Sequence, residues 1–420
     1  MAIAIRTGEQ TRQVQMVCVE DLVPADDVLR RVEPLVDWGQ VRRTAAPFYS
    51  DQGRPGIDPV VLVKLFLVAA IRGIGSMRET LRVAEVDLSI RRFLGYGLTE
   101  ALPHHATLSY AQCVRFHSSS VFEQLFTQVL ASCREAGLLD GSRLVVDATH
   151  VEANAALKSL RAELSLIDDG GDVSAQTREE HGDVSAETRP VLGLAAPRSG
   201  PTPKRRATNQ TAVSRTDPDA KLRRKPGQRP HLVHRAQVAT DPKTRVIVAV
   251  RAEPATGHEA DSLGLLIDRA KWLGHQVAEV CADQGYASDA VYTGLAGRAI
   301  TAYIPPQPNM LARPGGRAAR KRCKSPPGVS AAIDRMTHGE GAISELKLQH
   351  ALQRARCRGT TKLQIQLLLA ATAINLKRLT SRPPATENAN DGEPGAAIRT
   401  HLLILDACLN QLRQLDNPVL

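Results

Sequence analysis

The chain reads as an α/β protein, a mixed sheet with helices on its faces, preceded by an all-helical segment. Two observations predict this. Residues 20–138 place apolar side chains at helical spacing between cap and stop residues, and residues 143–287 hold short β-branched runs around one amphipathic segment. A third observation places the chemistry. In Arg143-Leu-Val-Val-Asp147-Ala-Thr149-His150, aliphatic residues run straight into an aspartate, as when a buried strand delivers a carboxylate at its end.

With 420 residues, 43% of them hydrophobic, the chain has material for two or three domains with real cores, which excludes wholesale disorder. Lys and Arg number 54 against 44 Asp and Glu, a net charge of +10 that favours a polyanionic partner. The seven cysteines, Cys18, Cys113, Cys133, Cys281, Cys323, Cys357 and Cys408, have no metal-ligand spacing and read as buried or idle thiols of a reducing cytosol. MAIAIRTGEQTRQ lacks an apolar signal core, and the apolar run Val60–Ile71, broken by Lys64, is too short for the roughly 20 residues of a membrane span. A soluble cytoplasmic protein is expected.

In the helical part, Asp58 is placed to cap and Pro59 to open a nearly all-apolar core helix, which Gly73 and Gly75 stop. Ser76 starts a second helix, with Met77, Leu81, Ala84 and Leu88 toward the core beside a face bearing Arg91 or Arg92. Ser120 and Glu123 form a capping-box pattern before FEQLFTQVLASCREAG, which Gly137 closes. Helices joined by a glycine turn suit a DNA-binding helix-turn-helix; the same pattern suits a plain bundle with a solvated basic face.

RLVVDAT (143–149), HLVHRAQVATD (231–241), TRVIVAVRAEPA (244–255) and QVAEVCADQGYA (276–287) read as strands, the middle two as a hairpin around Pro242-Lys243. HEADSLGLLIDRAKWLG (258–274) reads as a helix. Residues 158–230 form an insertion with an imperfect tandem repeat at Gly171 and Gly182 and a basic end holding Arg205, Arg206, Arg223 and Arg224. A second basic run among Pro and Gly, 313–324, includes Arg320 and Lys321 and reads as a loop. Helices follow over 340–359 and 362–379, then a linker and a short amphipathic terminal helix.

Asp147, Asp283 and Glu340 stand out by context, at the ends of two strands and the start of a helix. Such carboxylates suit divalent cations, whose hard, octahedral preference matches magnesium, and a pair of ions about 3.5–4 Å apart suits in-line phosphoryl transfer. Glu340 is preferred to Glu345 because, at about 100° per residue, Lys347 falls about 20° from Glu340 and about 160° from Glu345. Glu345 then reads as a solvated helix residue.

These motifs, in this order, resemble the DDE transposases of bacterial insertion sequences. LVPADDVLRRVEPLVDW, PFYSDQGRPGIDPVVLVKLFLVAAIRGIGSMRETLR, DLSIRRFLG and PHHATLSYAQ resemble that family's N-terminal domain; VVDATHVEANA and ADQGYAS resemble its first and second aspartate motifs. Glu340, Lys347 and HALQRARCRG match the third, except that Arg335 stands one residue too far from Glu340 and His338 replaces the usual Tyr-Arg pattern.

The resemblance implies a ribonuclease-H-like catalytic domain (139–380) behind a helical, DNA-binding domain (1–138), with 381–420 as linker and terminal helix. It implies cleavage at terminal inverted repeats and joining of the freed 3′-hydroxyls to target DNA. Asp147, Asp283 and Glu340 would be catalytic and hold magnesium, for which manganese can substitute. Lys347, Arg354 and Arg356, with the basic residues above, would contact DNA, and His150 and Tyr286 would support the aspartates. Partners would be double-stranded DNA and further copies of the chain, at least a dimer, at the nucleoid. A non-catalytic DNA-binding derivative and a nuclease without strand transfer remain the alternatives.

Overall fold

The computed structural model describes residues 16–50, 52–53, 56–139, 141–162, 209, 212–224, 227 and 229–381. The tandem repeat, Arg205, Arg206 and the terminal helix lie outside the described residues.

The helical part is built around one helix. α1 (Trp38–Ala45), α2 (Pro59–Ile71), α3 (Met77–Val86), α4 (Leu88–Leu94) and α5 (Val121–Glu135) follow in order. Asp58 accepts from the Val60 N–H at 2.9 Å and Pro59 opens α2. Apart from Val61, every α2 side chain is buried, which explains a sequence apolar on all faces. Lys64 is tolerated there because its Nζ donates to Glu33 Oε1 (2.7 Å) and the Phe93 carbonyl (2.5 Å), over the Trp38 and Phe93 rings. Gly73 turns the chain with φ +67° and lies so near Gln349 that a Cβ would meet its carbonyl oxygen at 2.4 Å.

The arginines expected on a basic face are structural. Arg91 is buried and donates to the carbonyls of Glu85, Gly97 and Glu100, while Arg92 pairs with Glu20 and Glu33 at 2.6 and 3.0 Å. These two arginines therefore form no solvated basic face. The capping box at Ser120 does not form: Ser120 Oγ accepts from the Gln124 side chain instead.

Five strands of the six-stranded sheet, β1 (Arg143–Glu152), β2 (His231–Thr240), β3 (Ile247–Pro254), β4 (Glu279–Cys281) and β5 (Thr301–Tyr303), lie in the order β3-β2-β1-β4-β5, and Lys221–Arg223 is the sixth. β2 is antiparallel to β1 and β3, and β4 is parallel to β1 and β5. This is the ribonuclease-H-like arrangement. Lys221–Arg223 pairs with the start of β2, ahead of β3 on the same edge. β5, only three residues long, was not among the expected strands; ITAYI was its signal.

Helices α6 (Leu263–Trp272), α7 (Asp289–Gly297), α8 (Pro314–Lys324), α9 (Pro326–Asp334), α10 (Glu340–Gln349) and α11 (Thr360–Thr380) are the α-helices among the described residues after β1. Two expectations change here. The basic run 313–324 is helix α8, opened by Pro314 at the first position, where its missing N–H costs nothing. The helix expected over 340–359 stops at Gln349, and Ala351 takes φ +55° as the chain turns out of it.

α11 packs on β3 and also against α5 and α2. Asn375 bonds both the N–H and the carbonyl of Ile247 (2.8 and 2.9 Å), and Gln364 bonds the Ala252 N–H (2.6 Å) and the Val250 carbonyl (3.2 Å), so helix side chains satisfy the edge of β3. One hydrophobic cluster extends from Leu29 through α2, α5 and the sheet to Leu376. The core thus crosses residue 138 without a break. Cys113 and Cys357 are bonded to each other, which corrects the reading of all seven cysteines as isolated thiols.

Candidate active site

The parallel pairing of β1 and β4 sets Val145 opposite Cys281. Two residues further along each chain stand Asp147 and Asp283, both just past the stretch over which β1 and β4 pair; Asp147 does not close its strand, as the sequence suggests, but lies midway along β1, while Asp283 is two residues beyond the end of β4. Asp147 Oδ1 accepts from the Ala148 N–H and Asp283 Oδ1 from the Gly285 N–H, each at 2.8 Å.

Glu340 arrives by a different route. Arg143, at the start of β1, pairs with Glu279 on β4 (2.7 Å) and with Asp334 at the end of α9 (2.5 Å), anchoring the segment that leads to α10. Residues Arg335–Gly339 then form a π-turn, in which the Glu340 N–H reaches back to the Arg335 carbonyl. Gly339 lies against β1: a Cβ there would meet Val145 Cγ1 at 2.9 Å and Asp147 Cβ at 3.8 Å. Glu340, the next residue, opens α10 beside Asp147.

The π-turn also accounts for the departure at Arg335. One extra residue per turn restores a five-residue separation to a single face of the helix, and Arg335 Nη1 lies 3.5 Å from Glu340 Oε1. Arg335 also lowers the pKa of Asp147 through its charge.

Electrostatically the three carboxylates share one site. Burial pushes Asp147 up to about 6; the Ala148 N–H opposes this, while the charges of Asp283 and Glu340 add to it. An oxygen-only donor set under mutual repulsion suits a hard divalent cation. Among the described residues no three His, Cys, Asp or Glu side chains are gathered closely enough to form a metal cage, and Arg335 supplies the positive charge between Asp147 and Glu340.

Sequence reasoning missed Glu259. It is held within 3.8 Å of Arg235, and a Cβ on Gly285 would meet its Oε2 at 2.6 Å and Asp283 Oδ1 at 3.0 Å. Burial raises its pKa, and Asp283 adds to the rise. Its only sequence signal was its place at the start of the segment read as a helix. Tyr286, behind Asp283, is fully buried and donates its hydroxyl to Gln237 (3.2 Å).

Glu345 is not solvated. Its side chain is 12% exposed and pairs with Arg378, with His350 at 3.9 Å, clamping α10 to α11. It points to a different neighbour from Glu340 all the same.

The expected DNA contacts are dispersed. Lys347 lies on α10, partly buried. Arg354 is exposed, 3.8 Å from Glu152. Arg223 and Arg224 are exposed where Lys221–Arg223 ends, and Arg320 and Lys321 are exposed on α8 beside Arg317 and Lys324. Arg356 turns inward and donates Nη2 to the Ile74 carbonyl at 2.7 Å, bracing the loop against the helical part. Asn154 secures that loop, donating to the Arg356 carbonyl (2.9 Å) and accepting on its own carbonyl from Arg358.

Residues 17–112 match the family model described as "Transposase domain (DUF772)", and residues 312–380 match that described as "Transposase DDE domain". These two segments are what the chain shares with the transposase domains. Of the three carboxylates, Glu340 falls within a matched segment. No curated protein matches the chain. Among solved structures it is similar to a piggyBac transposase synaptic complex with hairpin DNA, at 9% identity and TM-score 0.38, over 84% of this chain and 75% of that one. It is also similar to the Mos1 strand transfer complex, at 12% identity and TM-score 0.18, over 71% of this chain and 77% of that one.

Proposed function

We propose that the chain is a DNA transposase that cuts at the terminal inverted repeats of its element and joins the freed 3′-hydroxyls to target DNA. One observation supports the reading: Asp147 and Asp283 follow the paired parallel stretch of β1 and β4, Gly339 packs on β1 just before Glu340, and the charges of Asp283 and Glu340 both act on Asp147. Magnesium, or manganese in its place, bound by Asp147, Asp283 and Glu340, would supply charge neutralisation of the phosphate and activation of the attacking oxygen. The chain's own groups do the rest. The strands fix two carboxylates and α10 the third; Lys347 and Arg354 hold backbone phosphates; Arg335 balances the carboxylates and gives way as DNA and metal enter. Joining two ends in one event calls for at least two copies of the chain.

The test is Asp283→Asn. Duplex carrying the element's ends is expected to bind with unchanged affinity, while strand cleavage in magnesium falls to background. Cleavage by this variant at the wild-type rate would overturn the site. A strand-transfer assay with pre-cut ends separates a transposase, which joins them, from a nuclease, which does not.

A further inference from the structure

A second charged feature lies where the helical part meets the catalytic part. A cleft of roughly 770 Å³ opens there, its walls formed by the start of α3 (Gly75, Ser76, Met77, Arg78), by His105, and by Asn154, Arg356, Arg358 and Lys362. Four Arg or Lys side chains and one histidine line it, and no Asp or Glu does. That composition differs from the active site, where Arg335 sits among carboxylates.

The cleft also holds a half-buried cation. Arg356 is pushed down to about 10 by burial alone, with no carboxylate to offset the cost. Its Nη2 is held by the Ile74 carbonyl, but its Nε is sealed from water and has no hydrogen-bond partner. That N–H lies beyond an anion's reach and is a cost of placing the guanidinium here; what the cleft offers an anion is the uncompensated charge. Arg358 and Lys362 stand at the same mouth, and the Ser76 end of α3 contributes the positive pole of a ten-residue helix.

We propose that this cleft holds a backbone phosphate of duplex DNA, at a distance from the catalytic carboxylates. The inference rests on the transposase reading, which supplies the DNA. Asp147 and Asn154 are seven residues apart on extended chain, roughly 20 Å at about 3.3 Å per residue. At about 3.4 Å per base pair, the cleft engages the duplex some six base pairs from the bond being cut. A guanidinium and an ammonium there read no sequence; they set the register of the duplex over the carboxylates.

The experiment uses the full chain carrying Asp283→Asn, so that DNA is bound and not cut, with Arg358→Ala or Lys362→Ala added. Binding of a fluorescent duplex is measured across a salt series, with Lys271→Ala on α6 as the comparison cation. Each cleft variant is expected to flatten the slope of log affinity against log salt by about 1 and to weaken binding several-fold, while Lys271→Ala changes neither. The effect is expected to vanish on duplexes ending fewer than about six base pairs from the cleaved position. Should Arg358→Ala lower the melting temperature, Lys362→Ala, which breaks no hydrogen bond to the fold, carries the result. Cleft variants that keep the wild-type slope, in a protein that binds DNA and needs Asp283 to cut it, overturn this inference alone. Failure of the parent chain to bind DNA overturns both.

Discussion

Gly339 packs directly onto Asp147: a Cβ at Gly339 would come 3.8 Å from Asp147 Cβ and 2.9 Å from Val145 Cγ1. The second distance is shorter than a carbon contact tolerates, so any side chain at 339 must push the π-turn off β1 and carry Glu340 with it. Gly339→Val is therefore expected to reduce strand cleavage by about 100-fold, the cost of misplacing a catalytic group by about 1 Å. DNA affinity and melting temperature should change little, because β1 and α10 remain anchored through Arg143 and Leu346. Wild-type cleavage by this variant would mean that Glu340 does not act from this position.

The π-turn makes a second, unusual prediction. Met336 is 61% exposed within Arg335–Gly339, so deleting it removes a surface residue and lets the turn relax to an ordinary α-helix. Arg335 would then stand four residues before Glu340, still on its face. The deletion is expected to preserve the melting temperature within a few degrees and to keep cleavage. Deleting Ala342, which is buried in α10, should abolish both. If both deletions unfold the chain, the extra residue is not a tolerated insertion.

What the sequence revealed follows from physical range. Asp147 and Asp283 stand out as candidates in the sequence because aliphatic runs lead into them, and Glu340 because Lys347 shares its face. α8 was hidden because glycines and cations mask its period, although Pro314 marked its start. β5 was too short to show any period. The partners of Arg91, Arg92 and Arg356 could not be read at all: whether an arginine meets solvent, a carbonyl or a phosphate depends on partners up to 282 residues away, as with Arg356 and Ile74. Glu259 was missed for the same reason, since only the fold brings it to Asp283.

The Cys113–Cys357 bond predicts a thiol count. Seven cysteines less the two in the bond leave at most five to react in denatured, unreduced protein. Closing a loop of 244 residues restricts the unfolded chain, by about 5.5 kcal/mol in the entropic account. Reductant should therefore lower the melting temperature, and Cys113→Ser should make the protein insensitive to it. Seven reactive thiols without reductant would show the pair to be open in solution.

Glu345 supplies a pH-dependent clamp between α10 and α11. Burial opposes its ionisation, but His350 and Arg378 outweigh this and hold its carboxyl below the usual glutamate range. A carboxylate depressed in the folded state contributes stability that is complete above the unfolded value of about 4.3 and is lost as pH falls through the folded value. Glu345→Gln is accordingly expected to lower stability at pH 7 by about 1–3 kcal/mol, since Arg378 would lose its buried partner. The difference from wild type should shrink between about pH 5 and pH 3, as the wild-type carboxyl takes up its proton. Melting curves across that range decide the matter: a gap that stays constant with pH would assign the loss to packing and not to the ion pair.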